Sequence, residues 1–300
     1  RRSDVMKTGY IGLGNMGGAL ARRLLLSQDL TVFDLNPAAV ETCVTAGATA
    51  SNGVRAIAEG CKTVMMCLPT SAEVRSVIFD PDGLRAGLQP GSLVVDMTTG
   101  DPNATREMAA LLADDGIEMI DAPVSGGPQG ADAGTIAIMV GASEAQYAKI
   151  RPTLATISPN VFHAGEVGSG HVMKVVNNVM SAANRAVAFE AVTLAVKNGI
   201  DPNVCVEIVQ KSSGRNYATE VTFPKFILAD DLTQGFSLGL MHKDVSIATE
   251  LGRNSATPML LGNLVREVYQ SAINANGADA DINTLIKYFE KAAKTKVRRS

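Results

Sequence analysis

The 300-residue sequence contains no tryptophan, and aromatic residues make up only 4% of it. Its four cysteines, Cys43, Cys61, Cys67 and Cys205, are scattered, without Cys-x-x-Cys spacing or a neighbouring histidine cluster. We therefore expect neither a disulfide framework nor a metal site, and we interpret the cysteines as buried reduced thiols.

The sequence also lacks an excess of basic residues and a long apolar run. The 27 Lys and Arg residues are balanced by 30 Asp and Glu, and the net charge of −3 argues against a nucleic-acid-binding surface. No stretch approaches the ~20 apolar residues that cross a membrane. Because 46% of the residues are hydrophobic and 19% are charged, the composition is typical of a globular enzyme. We expect a cytoplasmic protein that binds neither nucleic acid nor membrane.

Strand and helix patterns alternate in the first half of the chain. Short apolar runs predict strands over residues 7–12, 30–33, 63–68, 92–97 and 117–122. Such alternation builds a parallel sheet with helices on both faces. From Val167 the strand patterns stop, and one long helical pattern runs to Asn198. We predict an α/β fold with a Rossmann-type domain over residues 5–165, joined by a long helix to an all-α domain over residues 166–295.

A glycine-rich motif follows the first predicted strand. Gly12, Gly14 and Gly17 fit Gly-x-Gly-x-x-Gly, a pattern that by itself occurs by chance in many chains. Here it lies between a predicted strand and a predicted helix, and Asp34 ends the next strand 22 residues after Gly12. The first glycine of such a motif permits a tight turn, the second admits the pyrophosphate and the third allows close helix packing. We therefore predict that this turn binds a dinucleotide.

Asp34 favours NAD over NADP as the cofactor. A carboxylate at this position accepts hydrogen bonds from the adenosine ribose and repels a 2′-phosphate. Leu35 and Asn36 follow Asp34, so no arginine stands there to bind such a phosphate. The alternative interpretation is a surface aspartate in a turn.

Two polar residues interrupt the apolar pattern of the long predicted helix. Lys174 and Asn178 are four residues apart and therefore project from the same helix face. An ammonium group beside a carbonyl could stabilise and protonate the alkoxide that hydride transfer creates. Equally, Lys174 could extend to solvent while Asn178 bonds a neighbouring carbonyl. The residue types alone leave both interpretations open.

A third cluster, Asp121–Pro128, follows a predicted strand and should emerge at the carboxyl edge of the sheet, where such folds bind ligands. Exposed amides around two glycines, together with a serine hydroxyl, could hold a carboxylate. A plain turn is the alternative, and without further context it is the simpler one.

In this order, the clusters resemble the β-hydroxyacid dehydrogenase family, which includes 3-hydroxyisobutyrate dehydrogenase and tartronate semialdehyde reductase. The matching stretches are Ile11–Gly17, Leu68–Pro69, Asp121–Gly127, Gly170–Asn178 and His242–Asp244. The resemblance implies a Rossmann domain, a helical domain and an active site in the cleft between them. It further implies oxidation of a 3-hydroxyacid, or reduction of its semialdehyde, by a chain that forms homodimers or homotetramers.

The resemblance also implies roles for individual residues. Lys174 matches the family's catalytic lysine, the general acid and base. The residues that match the substrate-binding set, which holds a small carboxylate, are Ser125, Gly126, Gly127 and Asn178. Beside the glycines and Asp34, the residues that match the NAD-binding set are Asn15 and Met16 at the pyrophosphate, Leu68 and Pro69 along the cofactor, Thr99 at the nicotinamide half, and Lys243 of the second domain.

The stretch Ser212–Tyr217 resembles a segment that shapes the family's substrate pocket, with Tyr217 where tryptophan is common. Arg215 in this stretch could meet a substrate carboxylate, although an arginine in a Ser-Gly turn is more often solvated. His171 lies one helical turn before Lys174 and could act as a general base, whereas His163 ends a predicted strand; histidines outside a site are common, so we expect no catalytic role for either.

The substrate and the reaction direction stay open. 3-Hydroxyisobutyrate, L-serine, threonate and tartronate semialdehyde all suit the same carboxylate anchor. The alternative function is an NAD(H)-binding sensor or scaffold without turnover. Relatives of that kind lack the lysine, which is present here as Lys174.

Overall fold

The computed structural model describes residues 7–298, so residues 5 and 6 of the predicted first domain lie outside the described part. The chain divides after Lys174 into two compact units. Each unit has its own hydrophobic core, and each is described by itself.

The first unit contains one central sheet. Its strands are β1 (Thr8–Ile11), β2 (Leu30–Phe33), β3 (Thr49–Ala50), β4 (Thr63–Met66), β5 (Leu93–Asp96), β6 (Glu118–Asp121), β7 (Val124–Ser125), β8 (Ala137–Gly141) and β9 (Val161–Gly165). They lie in the order β3-β2-β1-β4-β5-β6-β8-β7, with β9 beside β8. The strands β1 to β6 pair in parallel, whereas β8 is antiparallel to β6 and β7. The predicted Rossmann-type sheet is confirmed, with an antiparallel addition at one edge.

Helices cover both faces of this sheet. They are α1 (Asn15–Leu25), α2 (Pro37–Thr45), α3 (Val54–Gly60), α4 (Ser71–Phe79), α5 (Pro102–Ala113), α6 (Gly127–Ala133) and α7 (Glu144–Ala155). Successive strand residues point to opposite faces, and Tyr10 and Ile11 of β1 accordingly belong to two different core clusters. Because both faces of the central strands β1, β4, β5 and β6 are buried, these strands are mostly apolar, which is the pattern that predicted them.

The second unit is helical, as predicted. It begins within α8 (Ser169–Lys197) and continues with α9 (Pro202–Gln210), a π-helical segment (Ala218–Ile227), α10 (Leu238–Asn254), α11 (Leu260–Asn276) and α12 (Leu285–Ala293). Phe189 of α8 packs edge-on against Phe223 at a centroid distance of 5.4 Å, and both lie in the core of this unit.

Helix α8 is long and apolar enough to cross a membrane by length and composition, which differs from the expectation that no segment approaches a span. The sequence-based expectation overlooked that small residues such as Ala182 and Ala186 raise the mean hydropathy of the helix. Both lie in the core of the second unit with Phe189, so part of the apolar character of α8 is used in folding that unit.

Candidate active site

The predicted residues of the first unit gather along one edge of the sheet. Strands β1, β4, β5 and β6 are parallel neighbours, so their carboxyl ends share that edge. The segments that leave these ends are Gly12–Gly17, Leu68–Pro69, Thr98–Thr99 and Asp121–Gly127. The chain order reverses between β1 and β4, and such a switch point is where open α/β sheets bind ligands.

The three motif glycines have different surroundings. Gly12 has a φ of +89°, and a Cβ there would lie 2.3 Å from the carbonyl oxygen of Cys67. A Cβ at Gly17 would lie 2.0 Å from the carbonyl oxygen of Gly12, so α1 packs directly on the turn. At Gly14, by contrast, a Cβ would meet nothing within 4 Å. Gly12 and Gly17 are therefore needed by the fold, whereas the space at Gly14 is open to a ligand.

Helix α1 begins at this turn without a side-chain cap. Within the described residues, Asn36, Thr70 and Asp101 accept hydrogen bonds from the first turns of α2, α4 and α5, but no side chain does so for α1. Uncapped amides at a helix N-terminus attract phosphate groups. The open space at Gly14 and these amides fit a dinucleotide pyrophosphate.

Asp34 bridges the glycine turn and the start of α2. Its Oδ2 accepts a hydrogen bond from the Leu13 amide at 2.6 Å, and its Oδ1 accepts one from the Asn36 amide at 2.7 Å. The Asp34 carboxylate therefore has a structural role, and Asp34 is not merely a surface aspartate in a turn. Each oxygen keeps a second lone pair with which it can accept a ribose hydroxyl.

The ends of β4 and β5 are connected through Thr98. The Leu68 amide donates to Thr98 Oγ1 at 3.0 Å, and the Thr98 amide donates to Asp96 Oδ1 at 2.9 Å. Asp96 is completely buried, and this burial raises the pKa of its carboxyl group. These bonds fix the backbone at Leu68 and directly before Thr99, which are two of the predicted cofactor residues.

Asp121 holds the start of α8. Its Oδ1 accepts from the Gly168 amide at 2.6 Å and its Oδ2 from the His171 amide at 2.7 Å. Gly141 leaves room for this carboxylate, since a Cβ there would lie 2.3 Å from Asp121 Oδ1. Asp121 thus caps from another element the helix whose second turn contains Lys174, which is buried.

The segment after Asp121 contains two glycines with positive φ angles. Ser125 ends β7, and Gly126 and Gly127 have φ values of +136° and +71°. Non-glycine residues rarely adopt either conformation. The first unit therefore places three predicted substrate residues directly after the strand that holds the start of α8.

The two histidines of the first unit differ in their surroundings. His163 stacks on Tyr147 at 4.6 Å, and its Nε2 lies 2.6 Å from the carbonyl oxygen of Ala142, so these contacts give it a structural role. His171 is completely buried, with both ring nitrogens in hydrogen bonds. A general-base role in direct contact with substrate does not suit either environment.

In the second unit, Asn178 and Lys243 meet at a residue that was not predicted. Asn178 Nδ2 donates to Asp244 Oδ2 at 2.6 Å, and Lys243 Nζ lies 3.2 Å from Asp244 Oδ1. Asp244 is 2% exposed. It belongs to the His242–Asp244 match, and the signal that could have found it is an acidic residue on the apolar stripe of Leu238, Met241, Val245 and Ala248.

Arg215 and Tyr217 lie exposed on a loop of the second unit. This loop is ordered by Asn216, whose Oδ1 accepts from the Ala218 amide at 2.9 Å. The roles of Arg215 and Tyr217 stay predictions. Across residues 7–298, no cluster of three or more metal-ligating side chains is present.

Two family models match the chain. Residues 7–165 match the NAD binding domain of 6-phosphogluconate dehydrogenase. Residues 168–289 match the NAD-binding domain of NADP-dependent 3-hydroxyisobutyrate dehydrogenase. Among curated proteins, the chain is 38% identical to 2-(hydroxymethyl)glutarate dehydrogenase of Eubacterium barkeri, over 95% of each protein. The chain belongs to the β-hydroxyacid dehydrogenase family.

Other members of the family extend the likeness. The chain is 38% identical to the NAD-dependent L-serine dehydrogenase of Pseudomonas aeruginosa, over 94% of this chain and 97% of that protein. A structure of 3-hydroxyisobutyrate dehydrogenase from Mycobacterium tuberculosis with L-serine has a TM-score of 0.87 at 29% identity, covering 94% of this chain and 98% of that one. As a β-hydroxyacid dehydrogenase, the chain is an oxidoreductase that binds a nicotinamide dinucleotide.

Proposed function

We propose that the chain catalyses NAD-dependent oxidation of a short 3-hydroxyacid, or reduction of the matching semialdehyde, with Lys174 as general acid and base. The observation that carries the proposal is the place of Lys174. It is buried in the second turn of α8, whose start is held by Asp121, and Asp121 leads directly into Ser125–Gly127. The helix start that precedes the proton-exchanging amine is therefore held at the same strand end from which the carboxylate-binding segment leaves.

Each protein group has one task in this proposal. The nicotinamide, when bound, accepts the hydride from the substrate carbon or returns it. The Lys174 amine accepts the hydroxyl proton during oxidation, and the Lys174 ammonium donates it back during reduction. Ser125 and the amides around Gly126 and Gly127 bind the carboxylate.

Asn178 orients the substrate in this proposal. Its amide is held by Asp244 at 2.6 Å, so the side chain does not rotate freely. A fixed amide supports catalysis by keeping the reacting carbon at the distance that hydride transfer needs.

The choice of NAD is proposed from Asp34 and from the absence of a basic residue at Leu35 and Asn36. The Asp34 carboxylate already accepts hydrogen bonds from two backbone amides. A 2′-phosphate beside it would place two anions next to each other, which disfavours NADP.

An initial-rate screen tests this function. Purified protein is mixed with 3-hydroxyisobutyrate, L-serine, threonate and 2-(hydroxymethyl)glutarate, each with NAD and with NADP, and reduced cofactor is followed by absorbance. We expect turnover with at least one acid, and a higher kcat/KM with NAD than with NADP. Tight NADH binding with no turnover on these acids or their semialdehydes would instead indicate a cofactor-binding sensor.

A further inference from the structure

The buried side chain of His171 connects three elements of the first unit. Its Nε2 lies 2.8 Å from the carbonyl oxygen of Thr98, after β5, and its Nδ1 lies 2.8 Å from Thr105 Oγ1 on α5. Its own amide donates to Asp121 at the end of β6. One residue in the first turn of α8 therefore joins that helix to β5, β6 and α5.

The imidazole has no freedom to reorient. A carbonyl oxygen only accepts hydrogen bonds, so Nε2 carries a proton and donates to Thr98. The second ring nitrogen is bonded to Thr105, and a Cβ at Gly100 would lie 3.1 Å from His171 Cε1. With no exposed surface and both nitrogens bonded, the ring has a fixed position and cannot reach a substrate.

The contacts of His171 join two segments that the proposed reaction uses, the one at Thr98 and the one at Lys174. Thr98 directly precedes Thr99, the residue predicted to contact the nicotinamide half of the cofactor. Lys174 follows His171 by three residues, which is about one turn of the same helix. The residue before His171 is closely packed as well, since a Cβ at Gly170 would lie 2.3 Å from the carbonyl oxygen of Met139.

We propose that His171 is a positioning residue, which fixes the turn of α8 that contains Lys174 against the Thr98–Thr99 segment. This inference rests on the proposed function, because it assigns to His171 the alignment of the proton-exchanging amine with the cofactor segment. Displacement of a reacting group by about 1 Å can lower a rate by ~10²-fold, so a small rotation of the first turn has a measurable effect.

Three variants and one control separate positioning from simple core packing. His171→Leu fills the volume without hydrogen bonds, and His171→Gln keeps a donor and an acceptor. Thr105→Val removes the partner of Nδ1 and also the bond of the same hydroxyl to the Asp101 carbonyl at 3.0 Å, within one helical turn. The control is Thr193→Val, because Thr193 is also a buried threonine, and its hydroxyl donates to the Phe189 carbonyl within α8.

We expect His171→Leu to lower kcat by ~10²-fold while the NADH dissociation constant stays near the parent value. The solvent deuterium isotope effect on kcat should rise, because proton transfer becomes slower. His171→Gln should recover most of kcat, Thr105→Val should lose an intermediate amount, and Thr193→Val should lose none. If His171→Leu does not fold, Thr105→Val against Thr193→Val decides between the two interpretations.

The inference is overturned if folded His171→Leu retains the parent kcat, or if the Gln variant loses as much activity as the Leu variant. It is equally overturned if Thr105→Val behaves as Thr193→Val does. Lys174→Met in the same assays distinguishes this failure from failure of the proposed function. Loss of turnover in Lys174→Met with an active His171→Leu refutes only the positioning role. Full turnover in Lys174→Met refutes the role of the lysine itself.

Discussion

Single carboxylates at strand ends hold the backbone of the segments that are predicted to bind the cofactor and to carry the catalytic lysine. Asp34 accepts from the amides of Leu13 and Asn36, and Asp121 accepts from the amides of Gly168 and His171. Hydrogen bonds from amides to an ionised oxygen are shorter and stronger than those between neutral groups. The same residues that the sequence suggests for ligand binding therefore also define the loops in which they lie.

Asp34→Asn tests the choice of cofactor. Loss of the charge should lower the NAD:NADP ratio of kcat/KM by about tenfold to a hundredfold, as expected for hydrogen bonds to a charged group worth ~1.5–3 kcal/mol. Asp29→Asn is the matched control, because Asp29 is an exposed aspartate at the opposite end of β2. An unchanged ratio in Asp34→Asn, or an NADP preference in the parent enzyme, would refute the assignment.

Among the secondary-structure elements, the β1–α1 turn contains glycines that close packing requires and one glycine that borders the predicted ligand position. Gly12 and Gly17 lie against backbone atoms of the turn and of the β4 end, whereas Gly14 faces open space. The two requirements fall on different glycines of one motif. They can therefore be tested by the same substitution at two positions.

Gly14→Ala and Gly17→Ala should have opposite effects. Gly17→Ala places a methyl group 2.0 Å from a carbonyl oxygen and should lower the free energy of unfolding by about 3 kcal/mol or more. Gly14→Ala should leave the melting temperature nearly unchanged and weaken NADH binding, because its methyl group occupies the predicted pyrophosphate position. Thermal unfolding and NADH titration measure both. Equal NADH affinity in Gly14→Ala and the parent would contradict the cofactor assignment at this turn.

The local sequence pattern predicts most elements of the first unit, because both faces of its parallel strands are buried. It does not predict β8, although Ile138 and Val140 are apolar, because the antiparallel pairing of β8 with β6 depends on the returning chain. It also misses α6, whose seven residues include Gly127, Pro128 and Gly130, which are poor helix formers. Short elements of this kind are formed by tertiary contacts.

The site shows the same division. Motif spacing and the family resemblance single out Lys174 and Asp34 as candidate site residues, but they do not indicate the contacts of Asp121, His171 or Asp244. The bonds of Asp121 to α8 span 47 and 50 residues of sequence, and that of Asn178 to Asp244 spans 66. Such contacts follow from sheet order and helix packing, which no local pattern encodes.

At the scale of the whole molecule, the stability of the second unit should depend on pH through Tyr269. This tyrosine is completely buried beside Arg185, and its hydroxyl has no partner among the described residues. Burial raises the pKa of Tyr269 from 10.0 to about 12, although the nearby Arg185 acts in the opposite direction. The Tyr269 hydroxyl ionises at a lower pH in the unfolded chain than in the folded one. Its contribution to stability is therefore complete below pH 10 and is lost as the pH rises towards 12.

Tyr269→Phe removes this dependence. Between pH 9 and pH 11 the parent should lose roughly 1.4 kcal/mol more of its free energy of unfolding than the variant does. Chemical denaturation at several pH values measures the difference, and Tyr288→Phe is the control, because Tyr288 of α12 is only partly buried. Parallel losses in the parent and in Tyr269→Phe would show that Tyr269 does not carry this alkaline sensitivity.

The turnover of Lys174→Met with the best acid found for the parent tests the role of the lysine most directly. Methionine preserves the length and burial of the side chain but cannot exchange a proton, and Lys197→Met on the same helix is the exposed control. We predict that Lys174→Met binds NADH as the parent does and that its kcat falls by ~10² or more, while Lys197→Met is unaffected. A kcat near the parent value in Lys174→Met would contradict the central claim.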